Sequence, residues 1–278
     1  MRGGFLTIYW RDMIRFTRFK SLLVASLLQP ALWLAFFGIA MSSNFDRFAS
    51  GLPSPAGVMQ VSYLTFMCAG VIAMTTLFTS LYGGIGFLFD KNWGMLREVL
   101  ASPLPRNSIV IGIGFSGVTK ASIQAAVITV FGLLLGVQFF SEYSIAEIVI
   151  GILGMFAFIA IFSLGFLFLS SAIAITMETP EGLQAVITLL TMPIFFASNA
   201  LYPTENFPDA LKIASTVNPL TYMITGIRYY AIGDSFSVLG IAYTYAPAEI
   251  ALSFAFLVIF AAITFALAWW RFQVAKAT

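Results

Sequence analysis

Histidine is absent from the 278 residues, cysteine occurs once (Cys68), and charged residues make up 9% of the chain. Each shortage excludes something. Without histidine the usual general base and the commonest metal ligand are gone, and no Ser-His pair can form. A single cysteine cannot close an intrachain disulfide or build a Cys-pair zinc site, and it leaves the redox compartment undetermined. No G-x-x-x-x-G-K-[ST] occurs, so the chain builds no P-loop for a nucleotide, and no G-x-S-x-G occurs either. The chain is therefore not expected to be an enzyme or to hold a metal or cofactor. A soluble domain carries about 25% charged residues, so 9% charged with 60% hydrophobic residues places this chain in the membrane class. A net charge of +2 points to no nucleic-acid partner.

What is present is a series of apolar runs. A bilayer core needs roughly 20 apolar residues in a helix, and uncharged intervals of that size predict an all-α polytopic membrane protein with six transmembrane helices in a single transmembrane domain, residues 1–278. The spans are read at residues 21–42, 58–83, 107–140, 147–176, 180–201 and 249–271. Between the last two, Asn206 and Asn218 read as helix caps, with Pro208 and Pro219 near first-turn positions. Residues 206–233 are thus two short helices, either a re-entrant pair on the outer side or helices lying on the surface. The stretch from Ser235 to Ala248 reads as too broken for a span, since it contains Gly240 and Pro247.

Lys and Arg set the orientation. Arg2, Arg11, Arg15, Arg18, Lys20, Lys91, Arg97, Arg106, Arg271 and Lys276 fall on one side, Arg47, Lys212 and Arg228 on the other, with Lys120 at the mouth of the third span on the richer side. Both termini are accordingly expected in the cytoplasm, with the protein in the cell (inner or plasma) membrane. Residues 1–20 carry Arg11, Arg15 and Arg18 within one narrow helical arc, with Phe5, Tyr9 and Phe16 on the far side. This predicts an amphipathic interface helix on the inner leaflet, its basic face toward the headgroups. A signal peptide fits less well, because the apolar core that follows is a full span.

Gly112 to Gly117, "GIGFSG", formally matches G-x-G-x-x-G. A dinucleotide fold needs an acid about twenty residues on within a βαβ unit. The next acid here, Glu142, lies beyond a whole span, so the glycines read as close helix packing in lipid. None of the predicted span cores contains an acid, which disfavours an ion-driven carrier. Energy for transport must enter from outside the membrane.

The place for it is a charged island, "DKNWGMLREVLASPLPR", Asp90 to Arg106, within a predicted cytoplasmic helix at 87–106. Asp90 reads as its cap, Trp93, Leu96 and Leu100 as an apolar ridge, and Pro103 and Pro105 as its stop. By pattern alone it is either a connector on the membrane surface or a docking helix for a soluble partner.

The island and the stretch after it, "DKNWGMLREVLASPLPRNSIVIGIGFSGVTKASIQAAV", resemble the permease subunits of ABC-2 type transporters, especially the daunorubicin-resistance-like multidrug exporter branch. Asp90 and Lys91 stand at that branch's acid-base pair, and Gly94, Leu96, Arg97, Glu98, Leu100, Pro103 and Arg106 match the run that follows. "PEGLQAVITLLTMPIFFASNALYPTENFP" and "NPLTYMITGIRYYAIG" resemble its fifth span and outer loop through Phe195, Phe196, Ser198, Pro203, Asn218, Pro219, Tyr222 and Arg228, among others. Asn199 departs from the usual Gly, and Ile113 replaces a base. The resemblance covers residues from about 60 to 232.

It implies an ATP-driven exporter half whose ATP and Mg sit on a separate ABC ATPase subunit, with a second permease copy, as a homodimer, completing the pathway among membrane lipids. Asp90, Lys91, Trp93, Gly94, Leu96, Arg97, Glu98, Leu100, Pro103 and Arg106 would then form the coupling helix in an ATPase groove. Residues 1–20 would be the connecting helix, and Phe195 to Arg228 the outer closure and pathway. The cargo implied is a drug or lipid, with a polysaccharide or lipid-linked glycan as the alternative. A non-transporting scaffold or sensor is the reading from another class.

Overall fold

The computed structural model describes residues 4–49, 51, 58–94, 106–204 and 207–274. Helix α1, Gly4–Arg18, precedes a first spanning rod made of α2 (Lys20–Leu32), a π-helical segment (Trp33–Gly38) and α3 (Ile39–Ala49). Pro30 lies inside α2 and has no N–H to give the ladder. The wider π turn follows three residues later, a bulge by which helices absorb an extra residue.

Helix α4, Tyr63–Asn92, starts at Ser62, whose hydroxyl accepts from the Thr65 N–H at 3.3 Å. Its 30 residues extend about 45 Å, and almost the whole rod is buried, because α2, α3 and later helices surround it. It is continuous through Asp90 and stops only at Trp93 and Gly94, where φ reaches +76°, a conformation favouring glycine. This corrects the sequence expectation. Asp90 is not the cap of a separate helix but sits in the last turn of a spanning one, since nothing between Tyr63 and Asn92 removes an N–H or forces a positive φ.

Helices α5 (Arg106–Leu134), α6 (Ile145–Thr176) and α7 (Pro180–Phe196) follow. Ser144 and Glu147 close a reciprocal capping box at the start of α6, and Thr179 with Pro180 starts α7. Two short helices, α8 (Asp209–Thr216) and α9 (Pro219–Ala231), stand where a short pair is expected. Asn218 caps α9, whereas Pro208 itself is the cap position of α8 and not a first-turn residue. The last helix, α10, is Pro247–Val274. It packs on α6 and α9, so α6 lies between α10 and the central α4.

Among the described residues, five helical stretches are long and apolar enough to cross a membrane: Ser26–Arg47, Tyr63–Asn92, Ser108–Leu134, Ile145–Thr176 and Pro247–Arg271. Helix α7 is apolar but, at 17 residues, only about 26 Å long. Residues 197–201, read from sequence as its continuation, form turns instead.

The chain is also not purely α. Strands β1 (Met59–Gln60), β2 (Ser235–Val238) and β3 (Ile241–Thr244) form a small sheet. β1 runs parallel to β2, with Met59 opposite Phe236, and β2 pairs antiparallel with β3, with Phe236 opposite Tyr243. Leu239 and Gly240 both have positive φ, as a two-residue hairpin turn requires. The alternation of Phe236 and Val238, then Ile241 and Tyr243, about Leu239-Gly240 was the available strand signal. Gly240 is the turn of a hairpin, not the break of a failed span.

Candidate functional site

The polar residues at one end of the bundle converge on the last turn of α4. Asp90, 8% exposed, accepts from Arg11 (Nη2 to Oδ2, 2.7 Å) and from Arg15 (Nη1 to Oδ1, 3.1 Å). A second acid on α1, Asp12, accepts from Ser116 Oγ at 2.8 Å and Lys120 Nζ at 3.2 Å on α5. Burial works to raise the Asp12 pKa, but Lys120, the hydrogen bonds and Arg11 outweigh it and hold the carboxyl below its ordinary 3.8. Tyr9 donates to Thr119 at 3.3 Å. At Gly112 a Cβ would lie 2.8 Å from both the Phe5 carbonyl oxygen and Ile8 Cβ, so only glycine lets α1 lie this close to α5. The glycine run that imitated a dinucleotide motif is thus, at its first member, the seat of α1.

These contacts fix the rotation of α1 and correct its expected facing. Arg11 and Arg15 turn toward Asp90, not toward headgroups, because a buried carboxylate is tolerated only when paired. Phe5 lies on α5, its ring 6.4 Å from that of Phe115. The exposed apolar stripe is Leu6, Trp10 and Ile14, spaced by four. Arg18 remains exposed.

The two residues after Asp90 bind in another direction. Lys91 Nζ donates to the carbonyls of Ile175 (2.8 Å) and Met177 (3.1 Å), and Asn92 Nδ2 to that of Glu178 (2.9 Å). The last carbonyls of a helix have no intrahelical partner and carry the negative end of its dipole, so Lys91 is a cap for α6 supplied by α4. Trp93 is 69% exposed, stacks on Phe89 at 4.9 Å, and lies 5.9 Å from the Arg15 guanidinium. Asp90, Lys91 and Asn92 therefore tie α1, the end of α6 and the α6–α7 link to one turn of α4. Leu96, Arg97, Glu98, Leu100 and Pro103 lie outside the described residues, as does the Arg106 side chain, although Arg106 opens α5. Sequence reasoning missed the Asp90–arginine pairs. The available signal was Asp90 itself, the sole acid between Asp46 and Glu98, at the end of an apolar run.

At the other end, Asn218 Nδ2 donates to the Ile194 carbonyl at 2.6 Å, tying α9 to α7, while its Oδ1 accepts from the Leu220 N–H at 3.0 Å. Arg228, counted from sequence among the outer cations, is completely buried. Its Nη2 donates to the carbonyls of Phe66 (3.2 Å) and Asn199 (2.8 Å), and its guanidinium lies 3.4 Å from the Phe66 ring centroid. It lies in the interior of the chain, where two carbonyls and a ring meet one side of its guanidinium. Phe195 is buried and Phe196 is 48% exposed, and Ser198 donates to the Phe195 carbonyl at 2.6 Å. Pro203 is buried, and Pro219 is the first residue of α9. Tyr222 stacks on Phe256 of α10 at 4.1 Å and donates to the Thr216 carbonyl at 2.6 Å.

Among the described residues no three His, Cys, Asp or Glu side chains gather to hold a metal. The family model described as ABC-2 type transporter matches residues 4–232. The chain is 30% identical over 220 residues to a protein named as a transport permease, ycf38, from Cyanophora paradoxa, covering 79% of this chain and 71% of that one. A protein of the same name from Porphyra purpurea is 29% identical over 221 residues, covering 79% and 70%.

Proposed function

Because this chain belongs to the ABC-2 type transporter family, a family of membrane permeases, we propose that it is the permease subunit of an ATP-driven exporter of the daunorubicin-resistance-like branch. In this reading two copies form the pathway, and separate ABC ATPase subunits bind and hydrolyse ATP with Mg. The termini and the segment 95–105 lie in the cytoplasm, and α7 with residues 197–201 completes a sixth crossing. The cargo is a hydrophobic or amphipathic small molecule, a drug or a lipid.

One observation carries the mechanism. The turn of α4 that leads directly into segment 95–105 is bonded at once to α1, through Asp90, and to the end of α6, through Lys91. A push on Leu96, Arg97, Glu98 and Leu100 by an ATPase would reach three helices together. Trp93, exposed beside this turn, supplies an apolar anchor for such a partner. At the outer end, α8 and α9 act as the closure, latched to α7 by Asn218 and to α4 by Arg228.

The test is co-expression with candidate ABC ATPase subunits from the same genome, copurification, and substrate-stimulated ATP hydrolysis in proteoliposomes. A permease that binds no ATPase, or whose ATPase ignores every amphipathic drug and lipid offered, sinks the reading. Stimulation by a lipid-linked glycan alone would move the cargo to that class. Orientation is checked separately: cysteines at Ser50 and Asn206 should label from outside intact cells, and those at Asn92 and Thr179 should not.

A further inference from the structure

Helices α5 and α10 both pack on α6 and barely touch each other, leaving a cleft of about 70 Å³ beside the ends of these helices that carry Arg106 and Arg271. Ile109 and Ile113 form one wall, Phe265, Ala268 and Trp269 the other, and Ser171 lies in the floor. The Ser171 hydroxyl already donates to the Leu167 carbonyl at 2.8 Å, so besides the Trp269 indole N–H the lining offers a ligand no free donor. One water needs roughly 10–15 Å³ by the same measure and two to four polar partners. The cleft has the room and lacks the partners. Both walls belong to membrane-spanning helices, so what fills it is hydrocarbon.

A headgroup preference comes from the end of α10. Past Trp269 the helix places Trp270 and Arg271, with the guanidinium 5.0 Å from the Trp270 ring centroid. Trp270 is 54% exposed, and among the described residues Arg271 forms no ion pair. Tryptophan at a span end marks the headgroup level, and an exposed cation there attracts anionic lipid. We infer that this cleft is a lipid site: it takes part of one acyl chain of an anionic glycerophospholipid, whose phosphate is held by Arg271. The inference goes beyond the transport reading and requires only that the helices span a bilayer, so neither an ATPase nor a cargo enters its test.

The protein is equilibrated with equal amounts of phosphatidylglycerol and phosphatidylcholine of matched chains, delipidated, and analysed by native mass spectrometry. Wild type is expected to retain phosphatidylglycerol about fivefold over phosphatidylcholine, the factor that corresponds to the roughly 1 kcal/mol of one surface cation. Arg271→Gln, an exposed change that leaves the cleft intact, should bring the ratio to about one. Ala268→Phe from the wall and Ser171→Leu from the floor fill the same space, and each should lower retention of both lipids. Absence of retained lipid in wild type overturns the site. So does a preference that survives Arg271→Gln, or undiminished retention in both filled variants.

Discussion

Asp90→Asn keeps the size of the side chain and removes the charge that two arginines share. In the folded protein Asp90 accepts charge-assisted hydrogen bonds of 2.7 and 3.1 Å. Removing one partner of a fully buried pair costs about 3–5 kcal/mol. Here the carboxylate side chain is 12% exposed but the arginines are 30% and 31% exposed, so water screens the loss and a discounted cost of about 2–3 kcal/mol is expected. The loss falls on the docking of α1, because Asp90 meets that helix through Arg11 and Arg15. At 1.4 kcal/mol per tenfold, protection of α1 amides against hydrogen exchange should fall roughly 30- to 150-fold. Amides in the middle of α4 and α6 serve as the internal reference and should not change. A double-mutant cycle with Arg11→Gln separates the pair from the residue: the double variant should cost clearly less than the sum of the singles. If α1 protection in Asp90→Asn stays within about threefold of wild type, the carboxylate does not hold α1. The transmission path through it would then be wrong.

Four further outcomes follow from the same contacts. Lys91→Met leaves the Ile175 and Met177 carbonyls without their cap and should lower stability by about 1–2 kcal/mol, read as a reduced melting temperature that Lys91→Arg partly restores. Asp12 has a depressed pKa in the fold, so its contribution is complete above the ordinary 3.8 and is lost as pH falls through the lower folded value; hydrogen exchange in α1 should accelerate over that acidic window, and Asp12→Asn should abolish the acceleration. Arg228→Ala strands two carbonyls and opens a hole, at a cost of roughly 3–5 kcal/mol; a variant that melts like wild type would contradict the buried latch. Trp93→Ala and Glu98→Arg should leave the permease folded and inserted but weaken ATPase copurification, whereas a mere connector would tolerate both.

The helical spans were legible because a bilayer-length apolar run admits little but a helix, which satisfies its backbone internally. The short pair α8 and α9 was legible too, from Asn218-Pro219 and Pro208 at their starts. Lengths were less so. Asp90 after an apolar run reads as a helix start, but an acid can equally lie in a helix's last turn if cations come to it from elsewhere. The hairpin at Ser235–Thr244 has a strand alternation only four residues long in each arm, too short to stand out in so apolar a chain.

Composition and hydropathy determined by themselves that this is a helical, polytopic membrane chain. They also marked Asp90 to Arg106 as a charged interruption between apolar runs, since hydropathy is a property of single segments. Which charges meet is not such a property. Arg11 and Arg15 on one helix fit a basic face for headgroups equally well until α4 brings Asp90 beside them, 79 and 75 residues away. Arg228 counts as an outer cation in any tally of loops, and only the packing of α9 against Phe66 and Asn199 takes it out of water. Partners so distant in sequence leave no periodic trace, and only the folded bundle decides between a solvated charge and a buried one.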